Sequence, residues 1–99
     1  MAQVINIQEL AKYFRDKPVL KAYLFGSYVS GEANDASDVD ILVELDYHQK
    51  IGLQFITMKI ELEKLLRKPV DLVSSNGLSP LVKPFIEKNK LLIYEATEA

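Results

Sequence analysis

The sequence predicts an α/β (α+β) domain: a small mixed β-sheet of about four strands flanked by helices. Three observations carry that expectation. Segments with helical apolar spacing alternate with short β-rich apolar segments along the chain. Two of the helical segments are closed by a proline, Pro18 and Pro69, immediately before a strand-like run. With 99 residues, 48% hydrophobic and 26% charged, the chain has the composition of one globular core, so residues 1–99 are read as a single domain.

The elements follow in order. Ile7 to Lys17 reads as a helix, with Ile7, Leu10, Ala11 and Phe14 on one face, Asn6 as cap and Glu9 as the capping-box acid. Val19 to Phe25 reads as a strand that ends at Gly26-Ser27. Tyr28 to Gly31 is a single helical turn, and Glu32 to Ser37 is polar loop. Asp38 to Leu45 is the second strand and Asp46 to Gly52 a loop. Leu53 to Leu66 is an amphipathic helix whose apolar face collects Phe55, Ile56, Ile60, Leu62, Leu65 and Leu66. Arg67-Lys68 suit its C-terminal dipole. Val70 to Ser74 is the third strand, and Ser75-Asn76-Gly77 turns. A last helix lies within Ser79 to Asn89, with a kink or a break expected because Pro84 is awkward inside a helix. Leu91 to Tyr94 is a short fourth strand, and Ala96 to Ala99 is expected to fray.

Composition removes several functional classes. The chain has no cysteine, hence no disulfide framework, thiolate zinc site or cysteine nucleophile. No apolar run approaches the roughly 18 residues of a membrane span. The N-terminus lacks the basic-then-apolar pattern of a signal peptide, so a cytoplasmic location is the expectation. Twelve Lys and Arg against 14 Asp and Glu give a net charge of −2, which disfavours a long nucleic-acid partner. A small phosphorylated ligand held through a metal stays open.

Three aspartates stand out by position. Asp38 and Asp40 are two residues apart at the start of an apolar strand, so their side chains share a face while Val39, Ile41 and Val43 take the other. Asp71 lies within Val70-Asp71-Leu72-Val73, where a charge is costly unless it is paired or metal-bound. Carboxylates converging from two strands repel one another, and a divalent cation relieves the repulsion. Magnesium suits such a set, with one or two carboxylates and substrate phosphates as its ligands, and two ions together can stabilise both oxygens of an in-line displacement. Taken alone, an Asp-x-Asp is more often a solvated strand end. Gly26-Ser27, between a strand and a helical turn, can approach and donate to phosphate oxygens. Alone it is an ordinary strand-to-helix turn with Ser27 as cap.

Together, Gly26-Ser27-x-x-x-Gly31, a polar loop, Ser37-Asp38-x-Asp40-Ile41-Leu42-Val43 and the later Val70-Asp71-Leu72-Val73 resemble the nucleotidyltransferase signature of the DNA polymerase β superfamily. The branch closest in length is the minimal nucleotidyltransferase (MNT) group. The resemblance implies a polymerase β-like fold. It implies that Gly26 and Ser27 cradle a triphosphate, and that Asp38, Asp40 and Asp71 hold one or two magnesium ions. Asp71 would deprotonate the acceptor or hold the catalytic metal. It implies transfer of AMP from ATP to a hydroxyl acceptor with release of pyrophosphate, and a partner of the HEPN type, whose tyrosine the MNT antitoxin adenylylates. One departure stands out: many MNT sequences carry arginine just before the second glycine, where this chain has Ser30. Serine cannot pair bidentately with phosphate, and Lys21, Arg67 or Lys68 are the candidates to compensate.

Other readings compete. The chain could be a binding module that neutralises its partner by contact, with a weak site. A transferase acting on a small molecule such as an antibiotic, and a metal-dependent nuclease, are less well supported. A homodimer is left open. His48 reads as a solvated loop residue, Tyr13, Tyr23 and Tyr28 as packing residues, and the Leu53–Leu66 stripe as core or a partner surface.

Overall fold

The computed structural model describes residues 5–26, 29, 38–77, 80, 81 and 83–96. Among these the element order is α1 (Ile7–Phe14), β1 (Val19–Phe25), β2 (Val39–Leu45), α2 (Gln54–Leu66), β3 (Val70–Ser74), a 3₁₀ turn (Ser75–Gly77), α3 (Lys83–Lys88) and β4 (Leu91–Glu95). The strands form one mixed sheet in the order β3-β2-β1-β4. β1 runs antiparallel to both β2 and β4, and β2 runs parallel to β3. A parallel pair cannot be joined by a tight turn, and α2 supplies the crossover between β2 and β3. The expected fold class is therefore the observed one. Among the described residues, no helix is long and apolar enough to cross a membrane.

Several boundaries differ from expectation for local reasons. The first helix ends at Phe14 rather than Lys17. The Arg15 N–H donates to the Lys12 carbonyl and the Lys17 N–H to that of Phe14, so the chain tightens into turns before Pro18. At the other end Asn6 caps as expected, its Oδ1 accepting from the Glu9 N–H at 3.0 Å. Within the expected span the described helix is one short piece, Lys83–Lys88. It begins at Lys83, so Pro84 lies in the first turn, where its missing N–H costs nothing. α2 stops at Arg67, which adopts the left-handed conformation (φ 57°) usually given to glycine at a helix end. The expected turn at Tyr28–Gly31 and the loop Glu32–Ser37 lie outside the described residues except for Val29, which is helical.

Strand alternation gives the sheet two unlike faces. Ala22 and Leu24 of β1, Val39, Ile41 and Val43 of β2, Val70 and Leu72 of β3, and Ile93 of β4 point to one side. There they meet Leu10 and Phe14 of α1 and Met58 and Leu62 of α2, all buried. Burying one such aliphatic side chain is worth roughly 1.5–3 kcal/mol, so this back face holds the fold together. The front face carries a smaller cluster of Tyr23, Leu42 and Ile86, with Phe25 and Val73 against it. Tyr23 is buried and Tyr13 half-buried, both packing as expected, while Tyr28 lies outside the described residues. One expectation about α2 is corrected: Ile56 and Ile60 are not core residues but stand 57% and 48% exposed. They lie on the side of the helix turned away from Met58 and Leu62.

Candidate active site

The site is built on the front face, at the end of the sheet where β2 and β3 begin. The parallel register sets Asp40 directly beside Asp71, and the antiparallel register sets Phe25 beside Asp40 on the other flank. Neighbouring strands lie about 4.8 Å apart, so the two carboxylates are lateral neighbours in one row. Asp38 precedes β2 by one residue and shares the face of Asp40. Asp40 is half-buried, while Asp38 and Asp71 are exposed. The expected cost of a charge within β3 is thereby corrected: β3 is an edge strand, and Asp71 keeps its water.

The electrostatics tie the three together. Asp40 holds its proton above the ordinary aspartate value of 3.8, first because of burial, then because of the charges on Asp71 and on Asp38. All three are thus within electrostatic reach. They are not closed into a cage: among the described residues no group of three or more His, Cys, Asp or Glu side chains is gathered tightly enough to hold an ion. An open row of one or two carboxylates fits a magnesium ion that takes its remaining ligands from phosphate and water.

Gly26 closes the third side, for a reason the sequence did not disclose. It follows β1 with φ +76°, a conformation costly for any residue with a Cβ. A Cβ built there would collide with Oδ2 of Asp40. The missing side chain is therefore the space the Asp40 carboxylate occupies. The chain turns immediately, with the Val29 N–H donating to the Gly26 carbonyl at 3.0 Å. Ser27 and Ser30, read as a phosphate donor and as the departure from the family pattern, lie outside the described residues, as does Gly31.

A second unforeseen residue sets the position of β3. Oε2 of Glu63, near the end of α2, accepts from the Val70 N–H at 3.0 Å and from Lys59 Nζ at 3.3 Å. The Val70 bond, then Lys59, hold the Glu63 carboxyl below its ordinary value of 4.5. This fixes the start of β3 one residue before Asp71. The only sequence signal was an acid seven residues ahead of the strand, which is no signal without the fold.

The proposed substitutes for the missing arginine separate clearly. Lys21 is paired with Glu95 at 3.6 Å, and four residue steps along the strand, about 13 Å, divide it from Phe25. Arg67 and Lys68 lie at the correct end of the sheet, because the next residue, Pro69, accepts the Val39 N–H at 3.0 Å. His48 is solvated as expected; its ring is exposed, and it serves only the Asp46 turn, 3.2 Å from Asp46 Oδ1.

The family model described as "Polymerase beta, Nucleotidyltransferase" matches residues 8–99. The chain belongs to that nucleotidyltransferase family. A Methanocaldococcus jannaschii protein assigned as a protein adenylyltransferase is 41% identical over 86 residues, covering 84% of each chain. Among solved structures, a chain of a toxin–antitoxin complex with AMP-PNP is 25% identical and superposes with a TM-score of 0.78, covering 95% of this chain and 76% of its own. The fold is also that of a chain in the complex of a tri-AMPylated Shewanella oneidensis HEPN toxin with its MNT antitoxin. That match is 22% identical with a TM-score of 0.68, covering 91% of this chain and 70% of the other. The nucleotidyltransferase of this family is thus an enzyme whose relatives include minimal nucleotidyltransferase adenylyltransferases.

Proposed function

We propose that this nucleotidyltransferase moves AMP from ATP to a hydroxyl of a partner protein, a tyrosine of a HEPN-type toxin, and so acts as its antitoxin. The observation that carries the reading is the Asp40–Asp71 row, with Asp38 beside it, on the open front face of a nucleotidyltransferase sheet. The named activities of the relatives and the complexes formed by the fold neighbours support the acceptor class.

The reaction would run as an in-line displacement. The acceptor oxygen forms a bond to the α-phosphorus of ATP, the bond to the bridging oxygen of pyrophosphate breaks, and the hydroxyl proton passes to a carboxylate. Asp71, exposed at the sheet edge, is the residue best able to take it. Asp38, Asp40 and Asp71 would hold one or two magnesium ions, which neutralise phosphate charge when bound. Gly26 leaves room for the Asp40 carboxylate and lets backbone come close to phosphate, with Ser27 as a hydroxyl donor. Catalysis then rests on position and charge, with little covalent work for other side chains.

A second reading has one specific observation behind it. Ser30 stands where many family members have arginine, which favours an antitoxin that neutralises its partner by contact through a weak site.

The test is label transfer. The chain is purified with whatever protein copurifies from its native host and given α-labelled ATP and magnesium, with Asp40→Asn alongside. Label on a copurifying HEPN-type protein, absent with the variant, is the expected result. A stable complex that takes no label would establish the contact reading instead.

A further inference from the structure

β3 has little to hold it in place along its length. It is five residues long, lies at an edge of the sheet and has one strand neighbour, β2. The residue before it is Pro69, which has no N–H to donate. Val70 and Leu72, buried on the back, settle which face Asp71 takes. They do not settle where along β2 its carboxylate comes to rest, because apolar burial is non-directional.

Glu63 supplies what burial does not. The Val70 N–H donates to Glu63 Oε2 at 3.0 Å. On an edge strand such an N–H could be left to water; here it has a charged acceptor, which makes the shorter and stronger kind of bond. The carboxylate is itself held. Lys59 Nζ meets the same oxygen at 3.3 Å from one turn earlier, and the adjacent Leu62 is wholly buried, which anchors α2 at this point. The main chain of Glu63 holds the other end of the connection: its carbonyl accepts the Arg67 N–H at 2.8 Å, where the chain turns with φ 57°. One residue thus clasps both ends of the segment from Arg67 to Val70, and the next residue is Asp71.

We propose that Glu63 is a positioning residue for nucleotidyl transfer: by holding the Val70 N–H it fixes Asp71 beside Asp40 at the spacing the reaction needs. It rests on the reading above that Asp71 acts in transfer. Glu63 belongs to the helix packed on the back face, whereas the carboxylate row is on the front. The charges that act on Asp40 are those of Asp71 and Asp38, so Glu63 reaches the row through the β3 backbone and not through its field. A misplacement of about 1 Å can cost a reaction on the order of 100-fold. Gly26 and Asp40 are set by the β1–β2 register, which does not involve Glu63. Loss of the clasp therefore leaves ATP binding in place and slows turnover.

The experiment compares the parent with Glu63→Gln, whose amide oxygen still accepts from Val70, and Glu63→Ala, which has no acceptor and keeps a good helix former in α2. Thermal melts fix an assay temperature at which all three are folded. Amide hydrogen exchange by NMR on the full chain should be about tenfold faster at Asp71 in Glu63→Ala and unchanged in Glu63→Gln. Transfer of label from α-labelled ATP to the copurifying protein gives the kinetic constants. Glu63→Ala should lower kcat roughly 10–100-fold with the KM for ATP within about twofold of the parent. Glu63→Gln should keep kcat within about threefold of the parent. Unchanged Asp71 exchange in Glu63→Ala would overturn the proposal, as would a parental kcat in that variant or equal losses in the two variants. A parent that labels nothing would overturn the proposed function, and the exchange comparison, which needs no acceptor, would still decide whether Glu63 holds Asp71 in place.

Discussion

The two faces of the sheet are built for opposite ends. On the back, Ile41 and Val43 are wholly out of water among side chains from two helices and all four strands. On the front, the same strand β2 offers Asp40 and Leu42, and only the latter is buried in a cluster, a small one. One residue of β2 thus adds stability and the next, Asp40, costs some. The difference shows how a 99-residue chain carries chemistry at all. Period-2 alternation lets each strand place its stabilising and its reactive side chains on opposite sides of a sheet one residue thick.

The comparison yields predictions of decreasing size. Phe14→Ala, on the back face, should lose about 3–5 kcal/mol, much of the roughly 5–15 kcal/mol a small domain has. Denaturant unfolding should show the midpoint fall, and activity should disappear only as the protein unfolds. Gly26→Ala falls between the faces. It forces a Cβ into a left-handed conformation, at about 1–2 kcal/mol, and pushes that Cβ into the Asp40 carboxylate. Label transfer should drop far more than the melting temperature does, and equal losses would contradict the close approach.

Asp40→Asn should abolish transfer and leave the fold intact. Its sign with pH is distinctive. Folding raises the Asp40 pKa, so the folded state binds the proton more tightly than the unfolded chain. This group favours folding below its unfolded value of 3.8 and works against folding as pH rises through the folded value. The variant should therefore be slightly more stable than the parent at pH 7, with the gain vanishing at acid pH; a less stable variant at pH 7 would show that Asp40 is a structural residue. Glu63→Gln should give the smallest change and the opposite sign. The Glu63 pKa is lowered on folding, so its contribution is present above 4.5 and is lost as pH falls through the folded value. Melts from pH 7 to pH 3 should show parent and variant converging at the acid end.

Much of this was legible in the sequence because the signals were local. β1 and β3 keep their expected boundaries, since proline before each and turn residues after each mark the ends within a few positions. Asp38 and Asp40 were readable as a pair because alternation fixes their shared face from spacing, whereas Asp71 joined them only through the resemblance to the family signature. What was hidden depends on partners distant along the chain. The clash between Gly26 and Asp40 exists only through the β1–β2 register. The exposure of Asp71 follows from β3 being an edge, which no run of five residues declares. Ile56 and Ile60 carry the apolar letters of a core and lie outside it, because helical spacing gives the direction of a side chain but not what stands there.

The most direct test of the central claim, that the front-face row carries transfer independently of the core, uses Asp71. The residue is exposed, contributes to no buried cluster, and neighbours Asp40 only through the β2–β3 register. Label transfer from α-labelled ATP and the melting temperature would be measured together for the parent and Asp71→Asn, each with the proposed HEPN-type acceptor. The account predicts transfer lost with the melt unchanged. Transfer at the parent's rate in a folded Asp71→Asn would contradict it.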